Sequence, residues 1–279
     1  MASVTSDAQV QQPPYPTYAA ISEAKRVIKP NRSGLPLLYW PLNADTPATL
    51  KASGLAVMAM GPKHPDPDVL TPYWDASAGT WHPVSKQPIS EPKVSEILVQ
   101  MRDVMEWERT WKELHWECQL DDNRLEYYEQ QGDGLCHGCG VPKPAWVTGD
   151  VSILVKGTGG GGEGEGEGGE GGGCFVTVHD YVSTVHPWMV GRRGDILGAL
   201  GTSTGRNGPL AQETELMVRD RIMDWLSLEK REEWVRHTKK QPPPGWINPR
   251  RLMQPNGMGQ LSPFGGFPVS HQGERNERD

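Results

Sequence analysis

Residues 90–118 read SEPKVSEILVQMRDVMEWERTWKELHWEC, and the assignment of this stretch decides the fold class. Apolar residues fall at Val94, Ile97, Leu98, Met101, Val104, Met105, Trp111 and Leu114. Steps of three and four residues place most of them on one helical face. Ser90 suits an N-cap, Glu91 suits the positive end of a helix dipole, and Pro92 is tolerated in a first turn. The pattern therefore predicts a long helix over 91–130, with His115 and Cys118 continuing its apolar stripe.

Working outward, residues 209–240 carry a second helical signal. Pro209 opens it, and Val218, Ile222, Trp225 and Leu226 supply a face. Ser227 suits the cap of a following helix that carries Trp234 and Val235. Shorter helices are expected over 21–28 and 195–200. Thr177 and Asp180 have the spacing of an N-cap and its reciprocal partner, ahead of Tyr181, Val182 and Val185. A strand over 174–178 competes with that helix. Residues 37–40, 55–60 and 151–155 read as strands or buried segments. Seven prolines between Gly61 and Pro92 argue against a regular element there. The expected class is α+β, predominantly helical, with a few short strands and long irregular segments rich in proline and glycine.

Residues 157–173 read GTGGGGEGEGEGGEGGG. Glycine loses the most backbone freedom on ordering, and the glutamates repel one another. Nothing apolar offsets either effect, so the stretch is expected to be a disordered insert. Residues 151–155 and 174–178 flank it and suggest an expanded hairpin, since closure entropy grows slowly with loop length. Residues 1–20 and 242–279 read as disordered tails. This leaves one folded domain over 21–241, interrupted at 157–173. The alternative is two domains joined by a linker.

The chain has 28 basic and 35 acidic residues, a net charge of −7. Four of those acids, Glu163, Glu165, Glu167 and Glu170, lie in the insert. The balance gives no positive field to gather phosphates, so nucleic acid is not an expected partner. Four cysteines in 279 residues are no disulfide framework. The longest apolar run, residues 55–60, is far short of the roughly 20 residues that a membrane span needs. The N-terminus lacks the apolar core of a signal peptide. The expectation is a cytoplasmic or nuclear protein, with no membrane partner.

Cys136-His137-Gly138-Cys139-Gly140 is the sharpest local motif. Two cysteines separated by two residues can share a tetrahedral metal ion. The stretch resembles the Cys-x-x-Cys-Gly knuckle of zinc-ribbon proteins, over five residues only. His115 and Cys118, one helical turn apart, complete a candidate four-ligand set: His115, Cys118, Cys136 and Cys139. This predicts a structural zinc. The competing reading keeps His115 and Cys118 in the core stripe and leaves Cys136 and Cys139 in a loop.

No complete nucleophile, base or cofactor set appears. The leading expectation is a non-enzymatic intracellular interaction or scaffold protein, with the structural zinc as its stabiliser, which meets a protein partner through an exposed tryptophan-lined surface. The alternative is a hydrolase or transferase that uses His179 or His186 with a nearby carboxylate. The eleven tryptophans also serve as core anchors in a chain with only three phenylalanines.

Overall fold

The computed structural model describes residues 14–116, 151–158, 174–203, 208–219 and 223–241. The chain divides into a unit over Met1–Gln241 and a second over Pro242–Asp279; all of the described residues belong to the first. In chain order its elements begin with α1 (Tyr18–Glu23), β1 (Lys29–Pro30), β2 (Leu38–Tyr39), β3 (Ala56–Met60) and β4 (Pro65–Pro72). Then come β5 (Trp74–Asp75), β6 (Thr80–Trp81), β7 (Ser90–Glu91), β8 (Glu96–Met101) and α2 (Arg102–Leu114). After these lie β9 (Ser152–Lys156), α3 (Val178–Gly191), α4 (Arg193–Ser203), β10 (Leu216–Arg219), β11 (Trp225–Lys230) and α5 (Arg231–Thr238).

The expectation of a predominantly helical protein is overturned. Helix accounts for 36% and strand for 27% of residues, spread over several sheets, so the fold is mixed α+β. Much of the error lies in two stretches. The helix expected from residue 91 starts only at Arg102, because Glu96–Met101 is a strand. Its buried positions are Ile97, Val99 and Met101, a period of two, while Leu98 is exposed. So short a segment, apolar at 97, 98, 99 and 101, satisfies both periods, and packing against β9 and β11 selects the strand. Likewise 209–240 holds two strands before a helix of eight residues.

The largest sheet has the order β10-β11-β8-β9. β11 and β8 run parallel, and the outer pairs are antiparallel. A second sheet has the order β2-β3-β4, and β4 contains three prolines, Pro65, Pro67 and Pro72. Proline density did not exclude a strand here because β4 is an edge, where missing N–H groups break no ladder. The chain after β2 runs along β10, with Leu42 N–H donating to Leu216 O and Val218 N–H to Trp40 O. This joins the two sheets.

The core between these layers includes Trp40, Leu42, Ile97, Val99, Tyr181, Val185 and Leu226. Helix α3 supplies much of it, and its capping box is the Thr177–Asp180 pair legible in the sequence. The strand alternative for 174–178 is not taken: Val178 already begins the helix. Pro187 lies inside α3. The two segments flanking the insert do not form a hairpin. β9 pairs with β8 instead, while Val176 N–H donates to Val94 O and its carbonyl accepts from Ile89 N–H. The N-terminal tail is also shorter than expected, since Thr17 caps α1 through its hydroxyl.

Candidate binding cleft

β10 and β11 place Arg219 opposite Ser227, so Arg219 and Glu229 are diagonal neighbours on one sheet face. Helix α5 starts directly after β11 and folds back over the sheet. That return brings His237 Nδ1 to 2.7 Å from Glu229 Oε2. Arg219 Nη1 lies 3.6 Å from the same oxygen. Glu229 is buried, and its other oxygen, Oε1, has no hydrogen-bond partner among the described residues. In the tautomer that donates from Nδ1 to Glu229, Nε2 of His237 is left as an acceptor.

These residues line a cleft of about 260 Å³. Leu38, Met58, Val218 and Trp234 give it an apolar floor, and Tyr39 meets Trp234 edge-on at 5.5 Å. The β3–β4 turn adds Lys63 and His64, the far end of α5 adds Lys240, and Met60 stands at the rim, 63% exposed. Lys63 and Lys240 have no carboxylate within ion-pairing distance among the described residues, whereas Lys239 pairs with Asp68. The cleft thus combines a desolvated apolar floor with two lysines, Lys63 and Lys240, that no carboxylate among the described residues pairs with.

The residues singled out from sequence fare differently. His115 caps the end of α2 and is buried, with its ring 4.7 Å from that of Trp111. Cys118, Cys136 and Cys139 lie outside the described residues. Among the described residues no three His, Cys, Asp or Glu side chains gather as a metal site.

His186 is fully buried and accepts from Trp40 Nε1 at 3.0 Å on Nδ1, while Nε2 donates to Pro47 O at 2.8 Å. Both ring nitrogens are thereby used in holding the fold. His179 packs against Trp81 and Tyr73. Asp180, its sequence neighbour, is occupied by Thr158 and Thr177. Arg193 is 8% exposed and donates to Leu42 O, Gln212 and Thr214 O. Sequence reasoning missed Glu229 and His237, because a helix over 227–240 hides their strand-to-helix return.

Burial pushes the pKa of His186 below the ordinary value of 6.5, and it does the same to His82 and His179. The folded protein holds these rings neutral, whereas the unfolded chain takes up protons as pH falls through its ordinary value. Stability is therefore fully present above about pH 6.5 and is lost as pH falls toward the depressed folded pKa. The melting temperature should fall between about pH 7.5 and 5.5. His186→Gln, which keeps an acceptor and a donor, should flatten that slope; an unchanged slope would exclude His186 as a contributor.

No protein-family profile, curated protein or solved structure matches this chain.

Proposed function

We propose that this protein is a non-enzymatic interaction module whose cleft receives an acidic segment of a partner protein. Lys63 and Lys240, which pair with no carboxylate among the described residues, carry this reading beside the Met58 and Trp234 floor. A volume of about 260 Å³ is below the roughly 300–1,000 Å³ of small-molecule sites, and suits one or two anchoring side chains. Methionine and tryptophan adapt to and anchor such side chains, while rim charges steer the encounter. The setting proposed is cytosol or nucleus. No helix among the described residues is long and apolar enough to cross a membrane.

A fluorescein-labelled peptide of glutamates and aspartates around a central leucine tests the proposal by anisotropy. It should bind better than its lysine counterpart. Lys63→Glu with Lys240→Glu should weaken binding about tenfold at low salt, and less at high salt. Equal binding of both peptides, or no loss in the double variant, would refute it.

A second reading, a hydrolase or transferase, draws more support from His237 with Glu229 than from His179 or His186, because the Nε2 acceptor of His237 borders the cleft. Under that reading His237→Gln abolishes hydrolysis of a p-nitrophenyl ester; under the binding reading it leaves any background unchanged.

A structural zinc held by His115, Cys118, Cys136 and Cys139 belongs to the same proposal. Its support is the ligand spacing and the inward position of His115 at the end of α2. The purified protein should carry one equivalent of zinc. His115→Ala and Cys136→Ser should each lose the metal and melt at lower temperature. Metal-free protein, with both variants folding normally, would remove the site.

A further inference from the structure

Trp74 and Trp81 face each other across the β5–β6 pair, with ring centroids 4.5 Å apart and planes inclined at 56°. Both are half-buried, so their outer faces reach solvent. Trp81 is backed by His179 at 4.7 Å and by Tyr73 at 5.6 Å. The turn that joins the strands is fixed by Asp75, whose Oδ1 accepts from Ser77 N–H, Ser77 hydroxyl and Ala78 N–H. The ring pair is therefore a preformed platform.

A cation already stands on it. Lys51, from the short 3-10 turn Leu50–Ala52, places Nζ 4.2 Å from the Trp74 centroid and 6.0 Å from that of Trp81. Lys51 has no carboxylate within ion-pairing distance among the described residues, so the rings are the partner that the structure shows for it. The surroundings favour positive charge. Burial lowers the pKa of His179 and raises that of Tyr73, which keeps both neutral behind Trp81. The Ser77 and Ala78 hydrogen bonds hold Asp75 ionised next to Trp74.

We infer that the Trp74–Trp81 pair is a binding site for a methylated ammonium group, occupied in the resting protein by the chain's own Lys51. A primary ammonium is strongly hydrated and gives up much solvation to lie on a ring. A trimethylated ammonium gives up less and presents methyl groups to both faces. An incoming methylated side chain displaces Lys51 into water, where this exposed residue has nothing to block it. The site is independent of the Glu229 cleft and shares none of its lining residues.

Isothermal titration calorimetry with N-acetyl-trimethyllysine amide, on the full chain, tests the inference. Lys51→Ala removes the resident competitor and should tighten binding about fivefold. Trp74→Phe, which keeps a ring but weakens its quadrupole, should weaken binding in the Lys51→Ala background. The neutral isostere, with a tert-butyl group in place of trimethylammonium, should give no heat. The inference fails if Lys51→Ala binds no more tightly than the parent. It also fails if the isostere binds equally well, or if neither protein binds the probe.

Discussion

Asp180→Ala should lower the melting temperature of the full chain by about 10 °C, read by circular dichroism at pH 7.5. Asp180 is 5% exposed, yet it is the polar hub of one end of α3. Its Oδ2 accepts from Thr177 N–H at 2.9 Å and from the Thr177 hydroxyl at 2.8 Å. Its Oδ1 accepts from the Thr158 hydroxyl at 2.6 Å. Alanine removes the reciprocal cap and strands buried donors. A lost cap costs about 1 kcal/mol, and each buried donor left unsatisfied costs about 1–3 kcal/mol. A total of about 3–4 kcal/mol, at about 2–4 °C per kcal/mol for a domain of this size, gives the stated shift. Thr158 also marks the entrance to the glycine and glutamate insert, so Asp180 anchors that end to the helix carrying the core. Unchanged melting would show that the hub is not structural.

The second large effect is expected at Arg193. Its Nε lies 3.3 Å from Leu42 O, and Nη1 is 3.1 Å from Gln212 Oε1. Nη2 donates to Gln212 O at 2.7 Å and to Thr214 O at 3.0 Å. One guanidinium thereby ties the start of α4 to the chain after β2 and to the loop before β10. Arg193→Met keeps the apolar stem and deletes every donor, taking the partner from the carbonyl of buried Leu42 and from the less buried carbonyls of Gln212 and Thr214. A loss of about 4 kcal/mol is expected from urea unfolding, since hydrogen bonds from a charged group contribute about 1.5–3 kcal/mol each and do not add fully. Arg193→Lys should recover less than half, because an ammonium on a flexible stem cannot span the planar fork. Full recovery by lysine would mean that charge alone matters at this position.

Arg193 also shows where reading the sequence reaches its limit. Beside Arg192 it looks like one half of a solvated basic pair. It is buried because two segments, the chain after β2 at Leu42 and the loop before β10 at Gln212 and Thr214, present their carbonyls to it, and no local pattern encodes that meeting. Trp107 behaves alike. As a residue of α2 it belongs to a helix visible in the sequence. Its ring packs where a Cβ on Gly198 would stand, and its Nε1 donates to Thr202 at 2.8 Å. The glycine reads as a weak spot in α4 until the approach of α2 supplies its reason.

The cleft was the least legible part. Glu229 and His237 are ordinary helix-surface residues when 227–240 is taken as helix. They become a pair only after Glu229 is placed on β11 and the chain reverses into α5. Lys63 lay in a stretch judged irregular from its prolines. Trp74 and Trp81 are two tryptophans among eleven in the sequence, and their pairing depends on the turn held by Asp75.

The sequence by itself determined what rests on neighbours within a few residues: the Thr177–Asp180 capping box, the apolar segments at 37–40 and 55–60 that hold β2 and β3, the helical part of 91–130 that is α2, and the composition of the insert. These signals are local because a cap, a glycine run or a short periodicity is satisfied within one or two turns of chain. Only the tertiary structure decided whether Ile97, Val99 and Met101 lie on a helix or a strand. A six-residue segment with apolar residues at 97, 98, 99 and 101 fits either period, and the free-energy difference lies in the strands β9 and β11 that flank it. The same holds for the cleft and the tryptophan platform, where the interacting groups meet through sheet register and helix return rather than through spacing along the chain.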